Sequence, residues 1–316
     1  MRYAIGFALQ NLGEIPPARE QMEKALMLRR AHGSTLEVAE TLGGLGIVCW
    51  WEGDYRQGER RFNQSLKLLQ GHTSERAIDL RLDALINFAG MLIDAGHYRR
   101  SVEISREAIA AAHNAPGLAA ETRASMWGNL ATAEESLKNF DAASAAFDKT
   151  LMLQEQATGK MHPSYAVVLN NQAQLFFNMG QPGKAIDNFK ESLRIRRKTL
   201  GNHHPQITTA LFNLAHVQIA VGDLQAAERN ALEALAVAKA AYKPGNYRIG
   251  KAHEVLAELY VRTGRPKLAL EHALPAKKIY AQLQSVDPAA PRHVDTLLAQ
   301  IRAAEAGRPP PIPAKP

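Results

Sequence analysis

Seven glycine-type turn positions recur at an almost constant interval along the chain. They are Gly13, Gly53, Gly96, Lys138 in the same slot, Gly180, Gly222 and Gly264, spaced 40, 43, 42, 42, 42 and 42 residues apart. A fixed period of this length means a stack of identical supersecondary units rather than one folded sheet or barrel. The units are placed at 1–37, 38–78, 79–120, 121–162, 163–204, 205–246 and 247–285.

Within each unit the apolar residues predict two antiparallel helices, A and B. In the fifth, Leu169, Ala173 and Phe176 fall on one stripe of helix A, with the 3.6-residue spacing of an amphipathic helix. Gly180 ends that helix and Pro182 opens helix B, positions where a left-handed glycine and a missing N–H are each well placed. Ala185, Phe189 and Ser192-Leu193 form the inner stripe of helix B. Small residues recur where the helices cross, at Gly6, Gly46, Ala89, Ala131, Ala173, Ala215 and Ala257. A second small column runs through Ala18, Gly58, Ser101, Ala143, Ala185, Ala227 and Ala269, and aromatics fill the turn at Tyr55, Tyr98 and Phe140.

This pattern resembles the tetratricopeptide repeat. The longer unit also resembles the kinesin light chain subclass, through Asn129-Leu130-Ala131, Asn171-Gln172-Ala173 and Asn213-Leu214-Ala215. The links Gly159-Lys160-Met161-His162-Pro163 and Gly201-Asn202-His203-His204-Pro205 are a further point of likeness. The resemblance implies an all-α, right-handed α-solenoid of about seven helix-turn-helix repeats, with a concave groove lined by the A helices. One unit buries too little to stand alone, so each relies on its neighbours. Residues 291–306 predict one more amphipathic helix, through Val294, Leu297, Leu298 and Ile301, that caps the last repeat; 307–316 is a proline-rich tail. The first A helix lacks its opening residues and a capping residue before Met1. The expectation is that the chain continues something longer, or that Met1 is an internal start.

The remaining composition excludes several classes. With 46% hydrophobic residues the chain buries a core rather than staying disordered. A lone cysteine, Cys49, rules out an internal disulfide and a multi-cysteine zinc site. There is no long apolar run and the N-terminus does not read as a signal peptide, so the expected location is the cytoplasm, away from membranes. The net charge of +7 permits acidic partners without requiring them. Arg29-Arg30, Arg194 with Arg196-Arg197-Lys198, and Lys277-Lys278 are placed near helix C-termini, where cations offset the helix dipole. No base-stacking pattern of interleaved aromatics is present, so no nucleic-acid partner is expected.

Position 6 of helix A carries Asn87, Asn129, Asn171 and Asn213, 42 residues apart each time. Composition alone would place roughly 0.3 asparagines in these seven slots, and asparagine is a mediocre helix former. An amide both donates and accepts, so it can bracket a peptide group of any sequence. The family resemblance implies that such asparagines hold the backbone of an extended peptide. The competing reading is that duplication copied them and that they bond only neighbouring helices.

The groove positions beside the column include Gln174, His216 and Phe177, with Trp50 or Trp51 as an aromatic anchor; Trp50 packing between repeats is the alternative. No lysine or arginine stands in the slots where the family's co-chaperone members clamp a carboxylate. Gly43-Gly44-Leu45-Gly46 lies in helix A without the Gly-Lys-Ser/Thr of a phosphate loop, so close helix approach is its expected job. Cys49 is expected to be an inert core group, and His162 and His204 to serve in links rather than bind metal.

The chain is therefore expected to be a non-enzymatic protein–protein interaction scaffold that uses no cofactor and no metal. It would bind an extended segment of a partner protein. A sensory or regulatory segment of a larger signalling protein, such as a bacterial serine/threonine kinase or transcription regulator, is the alternative. An enzyme with a hidden site is the third class.

Overall fold

The computed structural model describes residues 1–115, 117–283 and 290–306, and every regular element among them is helical. The chain divides into two compact units, Met1–Thr158 and Gly159–Pro316. The N-terminal unit holds four antiparallel hairpins: α1 (Arg2–Asn11) with α2 (Ile15–His32), α3 (Thr35–Trp51) with α4 (Tyr55–Leu69), α5 (Glu75–Asp94) with α6 (Tyr98–Ala111), and α7 (Ala120–Ser136) with α8 (Phe140–Thr158). A single 3-10 turn, Ala112–Asn114, follows α6. The C-terminal unit holds α9 (Pro163–Asn178) with α10 (Pro182–Leu200), α11 (Gln206–Val221) with α12 (Leu224–Ala241), α13 (Tyr247–Arg262) with α14 (Pro266–Gln282), and then α15 (Ala290–Glu305). The proline-rich 307–316 lies outside the described residues. No helix among those described is long and apolar enough to cross a membrane.

Every hairpin turns in the same way. At Gly13, Gly53, Gly96, Gly180, Gly222 and Gly264 the backbone is left-handed, with φ between 65° and 84°. Two paired bonds tie up the last carbonyls of helix A, for example Gly180 N–H to Phe177 O at 3.0 Å and Gln181 N–H to Phe176 O at 2.8 Å. Lys138 does the same at φ 62° with a side chain present. A left-handed non-glycine residue costs about 1–2 kcal/mol. Lys138→Gly is therefore expected to raise stability by about 1 kcal/mol, read as a higher urea midpoint; an unchanged or lower midpoint would show that the turn carries no strain.

The A and B helices meet through small residues, as the two small columns predict. A Cβ on Gly46 would sit 2.8 Å from the Phe62 ring, and one on Gly6 would sit 2.7 Å from Met22 Cγ. Phe62, Phe147 and Phe189 occupy the same position of helix B in three repeats and are wholly buried. Cys49 is buried as expected, and burial pushes its thiol pKa up. Val294, Leu297, Leu298 and Ile301 of α15 join the core built by α13 and α14.

The links carry their own local structure. Helices α3 and α5 begin at Thr35 and Glu75. Ser34 accepts from Glu37 N–H in a full capping box, and Ser74 accepts from Ala77 N–H. Arg29 and Arg197 lie in last turns as expected, but Lys277-Lys278 precede the last turn of α14, and Lys277 pairs with Asp295 of α15 at 2.8 Å. His162 and His204 act as local acceptors in their links. Nδ1 of each takes a backbone N–H two residues on, from Ser164 and Gln206, at 3.3 Å.

Candidate functional site

The asparagine column does not behave uniformly. In the N-terminal unit both amides are engaged. Asn87 Nδ2 donates to Asp83 O of its own helix at 2.8 Å, and Asn129 Nδ2 reaches across to Ile86 O of α5 at 2.9 Å. In the C-terminal unit Asn171 is exposed and Asn213 half-buried, and neither makes a side-chain hydrogen bond among the described residues. Their donors and acceptors are left to solvent or to a ligand.

Around these two amides the C-terminal unit assembles a polar row across three A helices. Gln174 Nε2 donates to Asn178 Oδ1 at 3.2 Å. The Phe177 ring meets His216 edge-on, with centroids 5.5 Å apart. His216 Nδ1 lies 3.1 Å from Glu258 Oε2, and Arg262 Nη2 lies 4.0 Å from Glu258 Oε1. Burial works to raise the Glu258 carboxyl, but the His216 hydrogen bond and the charges of His216, His293 and Arg262 outweigh it and hold it below the usual range. One turn earlier, Glu254 accepts from Tyr280 OH at 2.6 Å and pairs with Lys251 at 2.9 Å, while His293 of α15 approaches to 3.8 Å. These carboxylates are already neutralised, so the face offers amides, an aromatic edge and an imidazole rather than a strong net charge.

The N-terminal unit presents a different surface. Trp50 packs across the repeat boundary: its Nε1 donates to Asp94 Oδ2 at 2.8 Å, and its ring lies where a Cβ on Gly90 would come within 2.9 Å. Trp51 is the exposed one of the pair, at 51%. Between α1, α3 and α5 opens a cleft of about 320 Å³, floored by Phe62 and Ser65 of α4. The glycine run of α3 shapes it. Gly44 and Gly46 are close-approach positions as expected, but Gly43 is not, because a Cβ there would meet only Ser65 Oγ at 3.7 Å. Gly43 instead leaves open space where four other repeats carry Ile86, Asn170, Phe212 or Glu254; Gly128 leaves the same slot open in the fourth repeat.

Sequence reasoning also missed a histidine pair, one ring buried and the other half-buried. His253 of α13 and His272 of α14 bring their Nδ1 atoms to 2.9 Å, so one ring donates and the other accepts. Period-based reading gives no sign of it, since the two rings come from different helices of one hairpin. Among the described residues no group of three or more His, Cys, Asp or Glu is arranged to hold a metal ion.

Successive packed helical hairpins define an α-helical repeat protein. The tetratricopeptide repeat model matches residues 122–198, 168–240 and 206–282, together half of the chain. The chain belongs to the tetratricopeptide repeat family, whose members generally mediate protein–protein interaction. No curated protein matches it by sequence. Among solved structures it is similar to the apo form of RapI, at 15% identity and a TM-score of 0.68, over 90% of this chain and 97% of that one. BtubC (BKLC) from P. vanneervenii matches at 16% identity and a TM-score of 0.61, over 72% of this chain and 92% of that one. A Rap protein complexed with Competence and Sporulation Factor matches at 15% identity and a TM-score of 0.58, over 92% of this chain and 75% of that one. At these identities the likeness is one of fold.

Proposed function

We propose that this chain is a non-enzymatic interaction scaffold that holds an extended segment of a partner protein against its A-helix faces. The observation that carries this reading is the pair Asn171 and Asn213. Both stand on A helices of the C-terminal unit, on the same helices as Phe177 and His216, with no side-chain hydrogen bond among the described residues. Asparagine is a mediocre helix former, and no hydrogen bond within the described residues engages either amide. A structural neighbour complexed with a factor of its own supports a binding role for this architecture.

The energetics bound the affinity. Two amide hydrogen bonds at a net ~0.5–1.5 kcal/mol each supply about 1–3 kcal/mol. Micromolar binding needs about 8 kcal/mol. Apolar anchors must supply the rest, and Phe177, edge-on to His216 in the same unit, is an aromatic residue able to contribute.

The two kinds of asparagine give opposite expectations. Asn171→Ala should weaken binding of a selected peptide by about threefold to tenfold and leave the melting temperature unchanged. Asn129→Ala should lower stability by about 1 kcal/mol, since it removes the bond to Ile86 O. Calorimetric titration and thermal melts of both variants read this out. Equal affinity of Asn171→Ala and wild type would remove the asparagine track from the account.

A further inference from the structure

The cleft of the N-terminal unit is built unlike the rest of the A-helix surface. Its walls are the aromatic rings of Tyr3 and Phe7 on α1, and Phe7 is 46% exposed. Its open centre exists because α3 has Gly43 where a side chain would otherwise project. Its far wall, on α5, carries Asp83 beside Asn87.

The charges there are unbalanced. Glu40 at the near wall is neutralised by Arg29 at 2.8 Å, with Arg76 at 3.7 Å. Asp83 and Asp79, one turn apart on α5, have no ion-pair partner among the described residues. This occurs in a chain with seven more cationic than anionic side chains, so the uncompensated anion is local rather than a reflection of composition. Asp83 is exposed at the cleft mouth; partial desolvation by the cleft walls and then the Asp79 charge raise its carboxyl. A cation arriving at this wall would relieve both costs. The Tyr3 ring stacks on Phe7 with centroids 6.5 Å apart and carries the Arg29 guanidinium 4.5 Å from its own centroid, so the exposed Phe7 ring is the aromatic surface left for the methylene stem of a long cationic side chain, whose head stays with the carboxylate.

We propose that this cleft is a specificity subsite that takes one lysine or arginine side chain of a partner segment, its stem against the exposed Phe7 ring and its charged head against Asp83. The inference rests on the scaffold reading above and names the chemistry that the partner must bring. Asn87 Oδ1 stands beside the same wall as an additional acceptor, its Nδ2 being held by Asp83 O.

The test is selection of random dodecapeptides displayed on phage against the full chain, with Gly43→Ile and Asp83→Asn panned in parallel. Gly43→Ile fills the cleft without a backbone clash, because only Ser65 Oγ lies within 4 Å of its Cβ; its melting temperature confirms folding. Wild type should enrich peptides with a lysine or arginine at one fixed position. Changing that residue to alanine should weaken binding by about tenfold. The preference should vanish with Gly43→Ile and Asp83→Asn and return with Asp83→Glu. Peptides that depend on Asn171 and Asn213 but show no basic preference would overturn the subsite and leave the scaffold reading standing. A basic preference that survives Gly43→Ile would overturn it equally. Failure of every variant and of wild type to retain any peptide would overturn the scaffold reading and the subsite with it.

Discussion

Phe62→Ala is expected to cost about 3–5 kcal/mol of stability, with the loss seen in the N-terminal unit. Phe62 is wholly buried and stacks on Phe88 with centroids 5.4 Å apart and planes 18° apart. It also fills the space that Gly46 leaves on the facing helix, where a Cβ would lie within 2.8 Å of the ring. The pair is therefore a single packing unit made from a large residue on helix B and no side chain on helix A. Gly46→Ala alone should destabilise by about 1–3 kcal/mol, since the ring is hemmed in by Phe88 and cannot yield cheaply. In the double variant the new methyl enters the hole left by the ring, so the two losses should fall short of additive. The three tryptophans, Trp50, Trp51 and Trp127, all lie in the N-terminal unit, so fluorescence-detected urea unfolding reports on it. Additive losses would show that the glycine and the ring are independent.

A second large effect is expected from pH, in the C-terminal unit. Burial, then the His272 charge, then Lys239 lower the His253 pKa to about 4. His272 is itself lowered by burial and by Lys239, against a raising influence from Glu271. Unfolded histidine titrates near 6.5, so between pH 6.5 and 4 the unfolded chain takes up a proton that folded His253 refuses. The stabilisation is therefore complete above pH 6.5 and declines as pH falls towards 4, by about 3 kcal/mol in all. Glu258, whose pKa is lowered in the fold, loses its contribution only at more acid pH. His253→Gln keeps a hydrogen-bonding partner for His272 without the titration. Hydrogen exchange of the α13 amides should show the wild-type loss between pH 6.5 and 4.5 and a flatter profile in the variant. Parallel profiles would place the acid sensitivity elsewhere.

The hairpin architecture was legible because it is local. A left-handed turn needs glycine, and six of the seven turns have one; the seventh, Lys138, was found from spacing alone and adopts the same backbone. The small columns followed from the same frame. The caps of α3 and α5, Ser34 and Ser74, were not picked out in the sequence, because they sit in links without the His-Pro signature that marks later repeats. The asparagine column was equally visible, but which amides are free was not. That depends on whether a carbonyl such as Ile86 O, 43 residues away, comes within reach. Trp50 is the same case, with its partner Asp94 44 residues distant. The role of Gly43 was hidden because a missing side chain looks the same in sequence whether it admits a neighbour or leaves a void.

The central claim is that the free amides of Asn171 and Asn213 grip a peptide backbone. A double-mutant cycle tests it most directly. A peptide selected on the wild-type chain would be titrated, with and without N-methylation at each backbone amide in turn, against wild type and Asn171→Ala. The account predicts one position at which methylation and Asn171→Ala each weaken binding and together cost no more than either alone, a coupling of about 1 kcal/mol. Strictly additive losses at every position would show that Asn171 does not touch the backbone, and would leave the asparagine column as a trace of repeat duplication.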